Sequence, residues 1–337
     1  MSRRTEADAA SLPVERWAQF LARSCQRRAN QAGGACGFSA LRHPLPMENI
    51  RELSRLIARH CRAGQIETGV PGLHLMVSHA PSEPIHNIYE PAFALIANGA
   101  KRTVLGDRVF DYGSGQYIVV SVELPIAGHV IMATEDEPFL AMGLTLNAAT
   151  IAALLLETNP ADRATAEPVG MGVSHASSDI VGVAVRMLRL LDRPRDVAVL
   201  RPLLERELLW RLLEGEQGAM IRQFGLADSR LSQIGHAIRW LRAHYAQMLR
   251  VEELAQLAAM SVSSFHRHFR AVTAMSPVQY QKQIRLQEAR TRLMANTHDV
   301  ATVGFDVGYD SPSQFSREYS RLFGAPPGRD AIRLRSG

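Results

Sequence analysis

A chain of 337 residues, 46% of them hydrophobic, is long enough for two domains with buried cores. Its net charge of +5 is unevenly spread: residues 232–337 hold 14 Lys+Arg against 8 Asp+Glu, residues 46–231 hold 17 against 22, and residues 1–45 hold 7 against 3. A basic end beside an acidic middle fits a protein that meets a polyanion with its end only. No apolar run approaches the roughly 18 residues of a spanning helix, and no apolar stretch follows Arg3 and Arg4, so neither a membrane segment nor a secretory signal is expected. The expectation is a cytoplasmic protein. Cys25, Cys36 and Cys61 are odd in number and lack paired spacing, so they read as incidental thiols rather than a disulfide framework, a metal site or a redox sensor. Only Lys101 and Lys282 of the 38 cations are lysines. Guanidinium suits bidentate binding of phosphate and guanine.

Residues 1–45, rich in Arg, Ala and Gly, read as a loose leader. Ile50, Leu53, Ile57 and Cys61 then recur at helical spacing. From 72 to 146 short apolar runs alternate with turns. Strands are predicted at 73–77, 93–97, 103–105, 117–122 and 128–132, with turns at Asn98-Gly99, Gly106-Asp107 and Gly113-Ser114-Gly115. This spacing predicts a small β-barrel or sandwich. Helix resumes over 146–156 with Asn147 as its cap. After a loop at 159–172, helices are predicted at 178–191 and 202–213, with Pro202 in a first turn and Gly215 as a stop. Their apolar residues Met187, Leu190, Leu191, Leu204, Leu208 and Leu212 must bury against the β-region or a second subunit, a homodimer. The segment 225–229 reads as a linker, and an all-helical block begins near Leu231.

That block repeats itself at an offset of 50 residues. Ser261, Ser263, Phe265, Arg267, Phe269 and Pro277 of one copy correspond to Ser311, Ser313, Phe315, Arg317, Tyr319 and Pro327 of the other. Each copy reads as a helix-turn-helix. In the first, Leu254, Leu257 and Ala258 form a buried stripe, Ser261 caps the second helix, and Phe265, Phe269 and Val272 face inward. Ser263, Ser264, His266, Arg267 and Arg270 are left outward, fitted to the major groove of double-stranded DNA. In the second, Val300, Val303 and Val307 precede Gly308 near the turn, Ser311 caps, Pro312 is the first helical residue, and Phe315, Tyr319 and Leu322 face inward. Ser313, Gln314, Ser316, Arg317 and Arg321 are then exposed. The helix predicted between the copies, 278–295, spans roughly 27 Å at about 1.5 Å per residue. That approaches the roughly 34 Å between successive major grooves.

At these residues the chain resembles the AraC/XylS transcription regulators. Leu254-Ala255 through Pro277, Ala301-Thr302-Val303-Gly304-Phe305, Ser311 through Arg317 and Phe323-Gly324-Ala325-Pro326-Pro327 follow the family's C-terminal pattern. The resemblance implies a two-headed reader of asymmetric promoter sites whose base-contacting helices fall on 263–270 and 313–321, with RNA polymerase as a partner and activation as the commoner mode. Pro71-Gly72-Leu73, Ile88 through Pro91, Asn98 through Arg102 and Tyr117 through Pro125 resemble the family's AraC-type N-terminal domain, which is similar to a cupin-like barrel. This implies sensing of a small-molecule effector, dimerisation, or both.

The expected fold is therefore α+β and multidomain. A cupin-like β-barrel with flanking helices (46–228; barrel about 70–146, helices about 147–215) is followed by an all-α domain of two helix-turn-helix units (229–337). An effector pocket inside the barrel would be lined by alternate residues Phe93, Leu95, Tyr117, Val119 and Ser121, which core packing explains equally well. His74, His79, His86 and His129 lack the paired spacing of a cupin metal enzyme. No catalytic triad or phosphate loop stands out, so no metal, cofactor or enzymatic activity is expected.

Overall fold

Helix α1 (Met47–His60) begins the described part of the computed structural model, which comprises residues 47–158, 167–295 and 299–336. The predicted leader, 1–45, lies outside the described residues. Strands β1 (Gly64–Glu67), β2 (Leu73–Ser78), β3 (Ile85–Tyr89), β4 (Ala92–Asn98), β5 (Ala100–Leu105), β6 (Arg108–Gly113), β7 (Gln116–Val120), β8 (Leu124–Met132), β9 (Phe139–Thr145) and β10 (Met171–His175) form two antiparallel sheets. Their orders are β1-β2-β9-β4-β7-β10 and β3-β8-β5-β6. The five predicted strands are all present. Strand β9, central in the large sheet, escapes the pattern because Phe139, Leu140, Ala141 and Met142 are buried on both faces and show no alternation. Strands β1, β3, β6 and β10 sit at sheet edges, where polar residues interrupt the apolar pattern.

Strand parity fixes which side chains meet between the sheets. Lys101 Nζ, on β5 of the small sheet, lies 3.9 Å from Met76 Sδ, on β2 of the large sheet. Successive residues of a strand point to opposite faces, so Met76 and its ladder partners Ala141 and Ile96 face the small sheet, as do His74, Gly143, Ala94 and Ile118. The other face carries Leu75, Phe93, Leu95, Tyr117, Val119 and Met142, all buried, and meets α1, which packs on β2, β4 and β9. The residues predicted to line a barrel pocket thus take the opposite parity. Phe93, Leu95, Tyr117 and Val119 are core beneath helices, with the Phe93 and Tyr117 rings 5.5 Å apart.

Helix α2 (Ala148–Thr158) is capped as predicted: the Ala149 N–H donates to Asn147 Oδ1 at 2.9 Å. Helix α3 (Ser178–Arg189) ends in a 3-10 turn and α4 (Pro194–Leu213) follows. Here the expected start fails. Pro194, not Pro202, opens the helix, and Pro202 lies inside it. The ring removes one N–H and orphans the carbonyl of Ala198. Both residues are exposed, so water satisfies that carbonyl. Met187, Leu190, Leu204, Leu208 and Leu212 are buried within the chain, whereas Leu191 is only partly so.

Helices α5 (Gly218–Gly225) and α6 (Arg230–Ala243) flank the predicted linker, which is a short turn. After it come α7 (Val251–Leu257), α8 (Val262–Thr273), α9 (Pro277–Ala295), α10 (Val300–Asp306), α11 (Pro312–Phe323) and α12 (Pro327–Ser336). One hydrophobic cluster runs without a break from Leu53 through the sheets to Phe269 and Ile284. A second, smaller one holds Leu286, Leu293, Val303, Phe315 and Tyr319. The first helix-turn-helix therefore shares its core with the barrel, and the second has its own.

Candidate nucleic-acid interface

The first unit is α7, a tight turn and α8. Ala259 in the turn has φ of 50°. Ser261 ends it by accepting a hydrogen bond from the Ser264 N–H at 3.3 Å. Phe265, Phe269 and Val272 of α8 are fully buried. The stripe predicted on α7 is rotated: Leu254, Ala255 and Ala258 are buried and Leu257 is 49% exposed. The buried positions are centred between 254, 255 and 258, which places 257 on the flank of the helix.

The second unit repeats the design. Asp299 Oδ2 caps α10 by accepting from the Ala301 N–H at 3.2 Å, and Ser311 Oγ caps α11 by accepting from the Gln314 N–H at 3.4 Å. Pro312 stands in the first turn of α11, and Phe315 and Tyr319 are buried, with Leu322 partly so. Each second helix ends in a left-handed residue, Ala274 (φ 56°) in the first unit and Gly324 (φ 74°) in the second.

The ten candidate contact residues all lie on these two helices. Ser263, His266, Arg267 and Arg270 on α8, and Ser313, Gln314, Arg317 and Arg321 on α11, are exposed; Ser264 and Ser316 are half-buried. Ion pairs nearby occupy Lys282, Arg290, Arg292 and Arg333. Arg267, Arg270, Arg317 and Arg321 form none among the described residues, so four guanidiniums are available to an anionic partner. Arg267 Nη2 lies 3.3 Å from His268 Nε2, and Arg317 Nε donates to Ser313 O at 3.3 Å. The acid on α11, Glu318, takes hydrogen bonds from Lys282 (2.9 Å), Tyr309 (2.9 Å) and Gln314 (3.3 Å). Burial disfavours its charge, but these donors outweigh burial and hold its pKa below the usual carboxylate value. Its negative charge is thereby shielded on a helix otherwise fitted to phosphate.

Helix α9 sets the distance between the units. Its 19 residues extend roughly 28 Å at about 1.5 Å per residue. Arg285, near its middle, donates to the carbonyls of Tyr245 (2.7 Å), Gln247 (2.8 Å) and Gly308 (2.7 Å), tying the end of α6 to the turn of the second unit. Gln281 adds bonds to Tyr245 O and Gln247 O. Gly308 has φ of 93°, and a Cβ there would stand 2.3 Å from Ala246 O, so this turn admits only glycine. In the second core the fully buried Asp330 is ringed by Arg290 (2.9 Å), Tyr319 OH (2.9 Å) and Arg333 (3.1 Å). Arg285 and Asp330 escape a sequence reading because, Arg333 apart, their partners are carbonyls and side chains 11 to 40 residues away.

The first unit is also fastened to the barrel. The Tyr280 hydroxyl, wholly buried, donates to Glu123 O at 2.6 Å, and Arg242 pairs with the Glu123 carboxylate at 2.8 Å. The α8 end rests against Gly106 and Gly170, where a Cβ would meet Ala274 O at 2.7 Å and Val272 O at 2.3 Å. The second unit touches the barrel as well, where His86 of β3 meets the Phe323 ring of α11 edge-on at 5.2 Å.

A cleft of about 720 Å³ opens where the barrel rim meets α2 and α4 to α6, with Ser121, Glu123, Arg201, Glu205, His236 and Arg239 among its walls. Of the predicted pocket residues only Ser121 reaches it, and its hydroxyl is bonded to the carbonyls of Val169 and Gly170. The barrel histidines do not converge: His74 lies on an inner strand face, His79 bonds Arg62 O, His86 packs on Phe323, and His129 pairs in register with Arg102 on the outer face. Among the described residues no group of three His, Cys, Asp or Glu side chains could hold a metal, and no helix is long and apolar enough to cross a membrane.

Residues 69–220 match the model of the AraC-type transcriptional regulator N-terminus, and residues 254–331 match a helix-turn-helix domain. The HTH-type transcriptional activator RhaS of Escherichia fergusonii is 32% identical over 125 residues, 36% of this chain and 41% of that protein. The regulator ArgR of Pseudomonas aeruginosa is 26% identical over 151 residues, 45% of this chain and 46% of its own length. The chain thus spans less than half the length of these curated relatives. In fold it is similar to ToxT from Vibrio cholerae O395, crystallised with (E)-4-(8-methylnaphthalen-1-yl)but-3-enoic acid: TM-score 0.50 at 10% identity, covering 78% of this chain and 98% of that one.

Proposed function

We propose that this chain, which belongs to the AraC-type transcriptional regulators, is a two-headed reader of promoter DNA that answers to a small-molecule effector. The observation that carries this is the pair of capped helices α8 and α11, each presenting Ser, polar and Arg side chains at matching positions on a common rod. The N-terminus of each helix, with its exposed hydroxyls and Arg267 or Arg317, suits entry into a major groove, and the remaining guanidiniums suit phosphate. The protein acts by binding, not by catalysis, in the cytoplasm. Activation through contact with RNA polymerase is our preferred mode, in line with RhaS being a transcriptional activator.

The effector acts through the contacts that fasten the first head to the barrel. An effector can shift DNA binding only if it binds differently to two arrangements of the heads. Tyr280, Arg242 and the Gly106 and Gly170 contacts are the joints where such arrangements would differ. A second reading, in which the barrel serves only to pair two copies, draws support from exposed Leu156, Val199 and Leu203 on neighbouring α2 and α4. The test is binding of the purified full-length protein to a random DNA pool at stated salt. Recovery of a defined motif supports the proposal, and binding without sequence preference overturns it.

A further inference from the structure

Lys101 is one of two lysines in the chain, and it is directed into the space between the sheets. Its Nζ meets Tyr89 OH at 3.1 Å and Met76 Sδ at 3.9 Å, and among the described residues it forms no ion pair. The neighbouring acid, Asp111, lies on the outer face of the small sheet, where Arg102 engages it through two hydrogen bonds of 2.7 Å. Burying an ammonium without a counter-charge is costly, and the fold does not need it: a methionine would fill the same length among Met76, Thr103 and Tyr112 without that cost.

The site is also roomy. Ala94 and Gly143 are flanked by strands on both sides, yet each is partly accessible to water, as are His74, Met76 and Tyr89 on facing positions. Because the backbone there is enclosed by its neighbours, water reaches these residues only from the inner face. The small side chains of Ala94, Ala141 and Gly143 leave that space open opposite Lys101, and Ile96 and Ile118 make its wall apolar. Gly128 on β8 serves the same end: a Cβ there would come within 2.9 Å of Tyr89 OH and 3.3 Å of Lys101 Cε.

We propose that the space between the two sheets is a binding site for a small monocarboxylate with an apolar body, its charge met by Lys101 Nζ and its second oxygen by Tyr89 OH. One ammonium and one phenol suit a singly charged carboxylate, whereas a phosphate dianion would require more donors than these. Burial works against the charge of Lys101, but the Tyr89 and Tyr112 phenols outweigh it and hold the pKa above the ordinary lysine value. The group stays a cation at neutral pH and serves as an anchor rather than a nucleophilic amine. The inference rests on the effector reading above and names the chemistry of that effector.

The experiment is thermal unfolding and calorimetric titration of the full-length protein with acetate, butyrate, octanoate, benzoate and phenylacetate, each beside its primary amide and matched chloride. At least one carboxylate is expected to raise the unfolding temperature while its amide does not. Lys101→Met is expected to weaken that binding at least about tenfold and to unfold no lower than the parent when unliganded. Tyr89→Phe is expected to weaken it by a few-fold. No stabilisation by any of these carboxylates, equal stabilisation by the amide, full binding by Lys101→Met, or a Lys101→Met protein that unfolds well below the parent would each overturn the inference. DNA binding by the parent in the same preparation separates that failure from failure of the regulator reading, which would show as loss of DNA selectivity itself.

Discussion

The two helix-turn-helix units share a design but differ in what holds them. The first buries Phe265, Phe269 and Val272 in a core continuous with the barrel, and Tyr280 and Arg242 pin it to Glu123. The second stands on a small core of its own, organised by the buried Asp330 and reached chiefly through α9. A change in the barrel is thus felt first by the first head, and the second moves with it through α9, Arg285 and the ring contact of His86 with Phe323. Repetition in sequence does not make the two heads equivalent in mechanics.

The largest effect that would sharpen this contrast is expected at Asp330. Asp330→Ala removes a fully buried carboxylate, leaves the partly buried Arg290 and the buried Tyr319 hydroxyl without their partner, and should cost about 3 to 5 kcal/mol, confined to the second head. Hydrogen exchange should show protection lost in α11 and α12 and kept in α8. Equal loss in both heads would break the contrast. Gly308→Ala, strained by its positive φ and by contact with Ala246 O, should destabilise by more than about 2 kcal/mol and lower binding to a full site more than to a first-head half-site.

Next in size are the reading heads themselves. Arg267→Ala or Arg317→Ala should each cost about 1 to 3 kcal/mol of affinity and relax specificity in one block only. Competition with base-substituted sites checks this, and a loss uniform over all sequences would reassign the side chain to phosphate. Tyr280→Phe removes one buried hydrogen bond and should cost about 1 kcal/mol of stability, with exchange rising at the joint between α9 and the barrel and not in α11.

The smallest effects concern pH. Burial, and then Arg267 beside it, hold the His268 pKa below its ordinary value of 6.5. The unfolded chain therefore binds a proton in the window just below pH 6.5 that the folded first head does not, and stability falls as pH drops through that window. Glu318 in the second head has a depressed pKa, so its contribution is complete above the ordinary carboxylate value of 4.5 and is lost as pH falls through the lowered one. Acid titration followed by proton NMR should find the first head titrating at higher pH than the second. His268→Gln should abolish the transition at the higher pH and leave the other in place.

The heads are the most legible part of the sequence because their signals are local. Ser261, Ser311 and Pro312 mark helix starts within a few residues, and Phe265 and Phe315 stand at fixed distances from them. The barrel is legible as strands and turns but not in its parity. Phe93 and Tyr117 alternate as expected, yet only the cross-sheet contact of Lys101 with Met76 shows which set faces inward. The start of α4 is misplaced by sequence because Pro202 is a sound first-turn signal unless, as here, its orphaned carbonyl faces water. The linker expected at 225–229 is a turn between packed helices. Nothing local predicts that Ile234, Phe269 and Tyr280 join the core of the barrel. Arg285 is hidden for the same reason, since it binds carbonyls that only the folded chain brings together.

The most direct test of the two-headed reader is selection of bound sequences from a random DNA pool, run in parallel with the parent, Arg267→Ala and Arg317→Ala. The parent should recover an asymmetric motif with two blocks about one helical turn, roughly 34 Å, apart. Each variant should degrade a different block and keep the other. A single block in the parent, or loss of the same block in both variants, would contradict the two-headed reader.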